Sequence, residues 1–380
     1  MKIAIDIRPL RDVMTGIGRY IFKLLQALEK CDRENEYRLF WSNLKRPAPD
    51  CLPVAHNFKQ VSLRLPGKAI TALWAYTSFP RAEFLTGEID VFHAPGFQVP
   101  PTRCAATVFT IYDLIPITHP QMAIPSAVRH IRPRMSHYVK RADLIVAISQ
   151  ATARELAGHF DVSGQKISVV YPGATLLSKA SPEEIALTLA KFGLRNGYIL
   201  FVSRLDPRKN LSRIIKAYEL AGLAADFELV IVGPEGWHME EMLKTWQSSK
   251  FQDRIRWLKY VSDVELRTLY SGATFFVYPS LIEGFGLPIL EAMSAGCPVL
   301  TSNTSSMPEV AGDAARYVDP MNVESIAEGM VELASDAALR ARLIESGYQR
   351  LPLFTWEKTA IEMIKIYKRA LEISVANRGR

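Results

Sequence analysis

The sequence has no run of 18 or more apolar residues, so no membrane-spanning helix is predicted. Cysteine is scarce. Cys31, Cys51, Cys104 and Cys297 form no CxxC pair and no metal-ligand spacing, which argues against a disulfide scaffold or a zinc module. Free thiols in a reducing cytoplasm are the expectation. No internal repeat and no low-complexity tract is present, which removes solenoids and disordered arrays. The start, MKIAIDIRPL, meets Asp6 too early for the apolar core of a signal peptide and reads as a first buried strand.

What is present is ordinary for a globular protein: 380 residues, 48% hydrophobic and 22% charged, enough for about two domains. The charge is unevenly placed. Residues 1–172 hold 22 Lys and Arg against 14 Asp and Glu, whereas the rest holds 24 against 25. A basic first half points to an anionic partner, such as a phospholipid surface, a phosphorylated lipid or nucleic acid. A solvated basic face is the competing account.

Short apolar runs alternate with amphipathic stretches. Strands are predicted at 2–7, 37–41, 90–94, 106–114, 143–149 and 167–173, then at 198–204, 228–233, 255–261, 273–279 and 298–302. Most are continuous rather than alternating, as parallel strands covered on both faces require. Two doubly wound α/β domains follow. The boundary falls near Tyr171-Pro172-Gly173, because Ser181, Pro182 and Glu184 then mark a new helix start. The final WEKTAIEMIKIYKRALEI reads as one long amphipathic helix.

In such sheets ligands gather beyond the carboxyl ends of strands. After the strand at 198 comes SRLDPRKN, where Arg204, Arg208 and Lys209 precede a helix. Cations oppose the dipole at a helix start, so their presence there favours a bound phosphate or diphosphate. After the strand at 273 comes SLIEGFGLPILE. Gly284 and Gly286 allow close backbone approach, and Pro288 suits the first helical position. The N–H groups of Gly286 and Leu287 then face an anion. Glu283 and Glu291 reach toward one pocket, and a carboxylate accepts well from paired sugar hydroxyls. In the first half, TGIGRY supplies Gly16 and Gly18 but has Ile21 where a dinucleotide fingerprint needs a third glycine. The run FTIYDLIPITHP puts Tyr112, Asp113 and His119 at a strand end, with Asp113 the stronger functional candidate.

These segments, in this order, resemble glycosyltransferase family 4, and the opening MKIAIDIRPL…TGIGRY is similar to its bacterial mannosyltransferases of polysaccharide and O-antigen synthesis. TIYDLIP resembles the family's His-Asp-Leu motif, SRLDPRKN its Arg/Lys diphosphate motif, and EGFGLPILE, followed by GCPVLTSNTSSMPEVAGDAA, its paired-glutamate motif. The resemblance implies a GT-B architecture: two Rossmann-like domains facing a central cleft. The acceptor-binding domain would span 1–173, with a helix at 356–380 packing back on it, and the nucleotide-sugar domain 174–355. It implies a retaining hexosyltransferase, with mannose from GDP-mannose the leading donor and rhamnose or glucose donors still open. Arg204 and Lys209 would hold the diphosphate, Glu291 the ribose, and Glu283 with the amides after it the hexose. Gly16 and Gly18 would lie near the donor phosphates or the acceptor. Where the family has His, this chain has Tyr112, which cannot become cationic near neutral pH; Asp113 would then carry more of the sugar contact.

No Asp-x-Asp occurs, so no metal and no separate cofactor is expected, the cations acting in place of a metal. The basic 127–143 and the aromatic 69–85 stretches suggest docking on the anionic inner face of a membrane beside a lipid-linked saccharide acceptor. Nucleic acid is not expected as a partner. A nucleotide-sugar epimerase and a non-catalytic binder on the same fold are the alternatives.

Overall fold

The computed structural model describes residues 1–10 and 16–378. Thr15, the first residue of TGIGRY, and residues 379–380 of the expected terminal helix lie outside the described residues. The chain forms two compact units, Met1–Gly173 with Phe354–Arg380, and Ala174–Leu353.

The first unit holds seven strands: β1 (Lys2–Asp6), β2 (Glu36–Ser42), β3 (Phe58–Leu63), β4 (Val91–Ala94), β5 (Ala106–Ile111), β6 (Leu144–Ala147) and β7 (Ile167–Val169). They form one parallel sheet in the order β3-β2-β1-β4-β5-β6-β7. The second unit holds β8 (Tyr198–Val202), β9 (Glu228–Val232), β10 (Ile255–Trp257), β11 (Phe275–Tyr278), β12 (Val299–Ser302) and β13 (Ala315–Val318). Its parallel order is β10-β9-β8-β11-β12-β13. The strand order reverses between β1 and β4 and again between β8 and β11, and these reversals are where a doubly wound sheet opens a ligand crevice.

Every residue of β4, β5, β6, β11 and β12 is buried, which is why these segments read as unbroken apolar runs. Two strands are absent from the sequence-based expectation, β3 and β13, and each is a sheet edge. An edge strand is covered less. FKQVSL in β3 places polar residues at Lys59, Gln60 and Ser62, and the central residues of β13 are only half buried. The expected strands at 106–114, 167–173 and 255–261 end earlier, at Ile111, Val169 and Trp257.

Helices cover the sheets as the pattern requires. The helix Pro182–Phe192 starts with a reciprocal capping box between Ser181 and Glu184 and ends on left-handed Gly193. The helix Trp356–Arg378 packs on the helix Gly16–Cys31 and on β5, within the first unit. Phe40, Trp74 and Phe92 meet edge-on or tilted at 6.0 to 6.3 Å in that unit's core. Full burial of a large apolar side chain contributes about 1.5–3 kcal/mol.

Candidate functional site

The two loops that carry the sequence's polar motifs leave β8 and β11, the neighbours across the second unit's reversal. Beyond β8 the chain does not enter its helix at once. Residues Pro207–Lys209 make a 3₁₀ turn, Asn210 takes a left-handed conformation at φ 65°, and the helix Leu211–Leu220 follows. Asn210 holds that conformation by donating from Nδ2 to the carbonyls of Pro279 (3.0 Å) and Pro320 (2.7 Å). The Leu281 N–H donates to the Arg208 carbonyl at 2.7 Å, which ties the two loops together. A third loop supports them from below. A Cβ on Gly236 would stand 1.6 Å from the Leu205 carbonyl oxygen, so only glycine lets that turn lie on the β8 loop.

Lys209, Glu283 and Tyr278 form the centre. All three are buried. The Lys209 ammonium donates to the Tyr278 hydroxyl at 2.6 Å and pairs with Glu283 Oε1. The Tyr278 hydroxyl donates to the same Oε1 at 2.8 Å. Arg208 Nη1 lies 3.1 Å from Glu283 Oε2, and its Nε lies 3.0 Å from Asp206 Oδ1. Two cations and two carboxylates thus close a compact network. Burial acts to raise the Glu283 carboxyl, but Lys209 and Arg208 outweigh it and hold the pKa at about 2. Burial lowers the Lys209 ammonium against the pull of Glu283. Burial raises Asp206 in spite of Arg208.

Past Glu283 the backbone is built to present amides. Gly286 is the N-cap of the helix Leu287–Ser294 at φ 109°, a conformation that disfavours any side chain. Pro288 stands second in that helix, not first as expected, because Gly286 caps it and Leu287 opens it. Two serines after β12 brace the loop. Ser305 Oγ accepts from the Glu283 N–H at 3.1 Å and donates to its carbonyl at 2.7 Å. Ser306 Oγ reaches the carbonyls of Glu283 (3.0 Å) and Phe285 (2.7 Å). Glu291 is half buried on the helix, and its charge adds to burial in raising the Tyr270 phenol well above its usual value.

The structure therefore brings Lys209 and Glu283 into direct contact and places Gly286 and Leu287 at the helix start beside them. Arg204 stands apart from this network: it is exposed and makes no bond to Lys209 or Glu283 among the described residues. Arg208 is the second cation of the cluster. The contacts of Tyr278, Ser305 and Ser306 escape a reading by motif, since they reach other loops, whereas Asp206 pairs with Arg208 within its own loop. The hydroxyl-rich TSNTSS after a buried strand was the available signal.

In the first unit, Gly16 opens the helix Gly16–Cys31 and is exposed, while Gly18 is buried. Tyr112 is buried, and its hydroxyl donates to the Pro95 carbonyl at 2.8 Å, so this group is already engaged in the fold. Asp113 Oδ1 accepts from the Ile115 N–H at 3.1 Å and sits near Glu155, whose carboxyl is raised by burial and by that negative charge. His119 Nδ1 lies 2.8 Å from Thr118 Oγ1.

A doubly wound unit with a cationic strand-end loop and an amide-presenting helix start, together in one chain with a seven-stranded parallel unit, defines the GT-B class of glycosyltransferases. Sucrose-phosphate synthase from Thermosynechococcus elongatus shares this fold with a TM-score of 0.75 at 20% identity, over 97% of this chain and 98% of that one. Residues 190–350 match the family described as glycosyl transferases group 1, and residues 14–176 match Glycosyltransferase Family 4. The chain is 30% identical over 383 residues to the Escherichia coli O-antigen chain mannosyltransferase B, covering 97% of this chain and 100% of that protein. It is also 31% identical over 279 residues to the Escherichia coli serotype-specific mannosyltransferase WbdA, covering 70% of this chain and 34% of the longer protein. The protein belongs to glycosyltransferase family 4 and is a glycosyltransferase.

Proposed function

We propose that this enzyme transfers mannose from GDP-mannose, with retention of configuration, onto a lipid-linked oligosaccharide during cell-surface polysaccharide synthesis. The observation that carries the reading is the buried Lys209–Glu283 pair at the reversal between β8 and β11, beside the helix start at Gly286. The mannosyltransferase names of the two relatives above support the sugar.

In this reading the departing diphosphate develops negative charge as the glycosidic bond to the donor breaks. Lys209 and exposed Arg204 stabilise that charge together with the amides of Gly286 and Leu287. Arg208 keeps Glu283 oriented. Glu283 faces the hexose and Glu291 the ribose hydroxyls. Asp113, with Gly16 and Gly18, serves the transferred sugar and acceptor from the first unit. We propose that the protein cations do the work a divalent metal does elsewhere, and that no further cofactor is needed. Among the described residues no group of three His, Cys, Asp or Glu side chains is arranged to hold a metal. Turnover unaffected by EDTA is the expected outcome.

The first unit supports a membrane-associated acceptor. Tyr76, Phe79 and Phe84 are 75%, 61% and 77% exposed. Arg134 Nη2 donates to the Tyr76 hydroxyl at 2.7 Å, so the basic and aromatic stretches meet. Residues 64–82 and 114–142 contain no acid, and Arg129 and Arg132 are exposed. No described helix is long and apolar enough to cross a membrane. We propose peripheral docking on the cytoplasmic face of the membrane. Replacing Arg129 and Arg132 by Ala should weaken binding to anionic vesicles and leave the negligible binding to neutral ones unchanged; equal binding to anionic vesicles would refute it.

The test of the donor is a panel of nucleotide sugars with the purified full chain. GDP-mannose should raise the melting temperature most, by mass action on the folded state. Product analysis with donor alone and with acceptor then separates transfer from epimerisation. A stronger response to a UDP- or dTDP-sugar would replace the proposed donor.

A further inference from the structure

The Tyr278 hydroxyl has no part in the scheme above, yet its position is unusual. β11 ends on this residue, which places it at the carboxyl end of a strand bordering the sheet's reversal. The ring is only 1% exposed and stacks on Phe276 at 5.4 Å with a 21° interplanar angle. Its carbonyl is fixed by Thr301 Oγ1 at 2.9 Å. Backbone and ring are therefore both held. Its one O–H donor goes to Glu283 Oε1 at 2.8 Å, and an oxygen lone pair accepts from Lys209 Nζ at 2.6 Å. A phenol in that position must stay protonated to make both bonds, and burial with the Glu283 charge keeps it so.

We infer that Tyr278 is a positioning residue for glycosyl transfer, its hydroxyl holding the Lys209 ammonium and the Glu283 carboxylate in a fixed mutual orientation. The inference rests on the reading of Lys209 as a diphosphate ligand. Lys209 already contacts the carboxylate, and the hydroxyl, bonded to both groups, fixes the direction of that contact. With the bridge removed, Lys209 would pair with Glu283 alone and offer the departing diphosphate a weaker, misplaced contact. The other charges facing Lys209 are Arg208 and Asp206, and the substitution leaves both in place. A purely structural tyrosine at a strand end would pack its ring and send its hydroxyl to a carbonyl or to water. Here both bonds go to the two charged groups of the site.

Tyr278→Phe keeps the ring and deletes only the bridge. Assayed in the purified full chain beside Lys209→Ala, it should lower kcat by about 10- to 100-fold, as small misplacements of catalytic groups do, with donor KM within about twofold. Loss of the hydroxyl that accepts from the ammonium disfavours its charged form, so the alkaline limb of kcat should move to lower pH. Unchanged kcat and an unmoved alkaline limb would overturn the inference, as would a fall in melting temperature with catalysis intact. If Lys209→Ala itself retains turnover, the reading of the site fails, and with it the basis of this role. Should Tyr278→Phe not fold, 3-fluorotyrosine at 278 retains ring and hydroxyl. Its ¹⁹F resonance should shift when the nucleoside diphosphate product saturates the enzyme, and an unmoved resonance would overturn the role.

Discussion

The polar centre around His93 in the first unit and the one around Lys209 in the second differ in kind. In the first, His93 lies within β4, fully buried, with Nε2 at 2.8 Å from Thr110 Oγ1 and Nδ1 at 2.9 Å from Tyr367 Oη of the C-terminal helix. Burial drives its pKa down to about 3, so the ring is neutral and its partners are neutral. In the second unit, Lys209, Arg208, Glu283 and Asp206 are charged, and they lie past the ends of β8 and β11. A polar group inside the sheet is satisfied by hydroxyls and serves the fold. Charges at the strand ends are balanced against each other at a position where a ligand can enter that balance. In these two centres the polarity within the sheet is neutral and the polarity past the strand ends is ionic.

The largest way to break this contrast is Glu283→Ala. Removing one partner of a buried ion pair typically costs about 3–5 kcal/mol, because the remaining cation is left uncompensated. Chemical denaturation followed by amide exchange in β8 and β11 should show a loss of that order in the second unit. A loss below about 1 kcal/mol would mean that solvent already compensates the network.

Acid sharpens the contrast. The Glu283 carboxyl is depressed in the folded state, so its contribution is complete above the ordinary carboxylate range and fades only as pH falls toward about 2. His93 is depressed as well, but for a base that means the unfolded chain takes up the proton first. Stability from this site is full above about 6.5 and is lost as pH falls toward about 3, by at most about 1.4 kcal/mol per pH unit. Protection factors of amides in β4 and β5, taken relative to intrinsic exchange at each pH, should therefore fall between pH 6.5 and 5, and His93→Gln should flatten that slope. A variant curve parallel to the wild type would contradict the assignment.

A smaller effect is expected at Glu291, half buried on the helix Leu287–Ser294. Glu291→Ala should raise donor KM with kcat nearly unchanged, since a ribose contact is made equally in ground and transition states. An unchanged KM would remove Glu291 from the donor site.

The comparison also explains what could be read in advance. Central strands are covered on both faces and leave an apolar run followed abruptly by polar residues, so SRLDPRKN and EGFGLPILE stood out with their order intact. Edge strands β3 and β13 have polar or half-covered residues and left no such trace. Within the site, Lys209 and Glu283 were legible by type and place. Their mutual pairing was not, because it depends on Asn210 bending the β8 loop toward Pro279, which brings two separate loops together. Tyr112 stands where the family has His, and its hydroxyl binds the Pro95 carbonyl, a partner 17 positions earlier, which sequence order alone does not reveal.

The central claim is that Lys209 stabilises a departing nucleoside diphosphate, and initial-rate turnover of GDP-mannose by wild type and Lys209→Ala tests it most directly. The account predicts a fall in kcat of about 10²-fold or more, as for loss of an oxyanion donor, in a protein that still melts cooperatively. Near-normal kcat in the folded variant would contradict it.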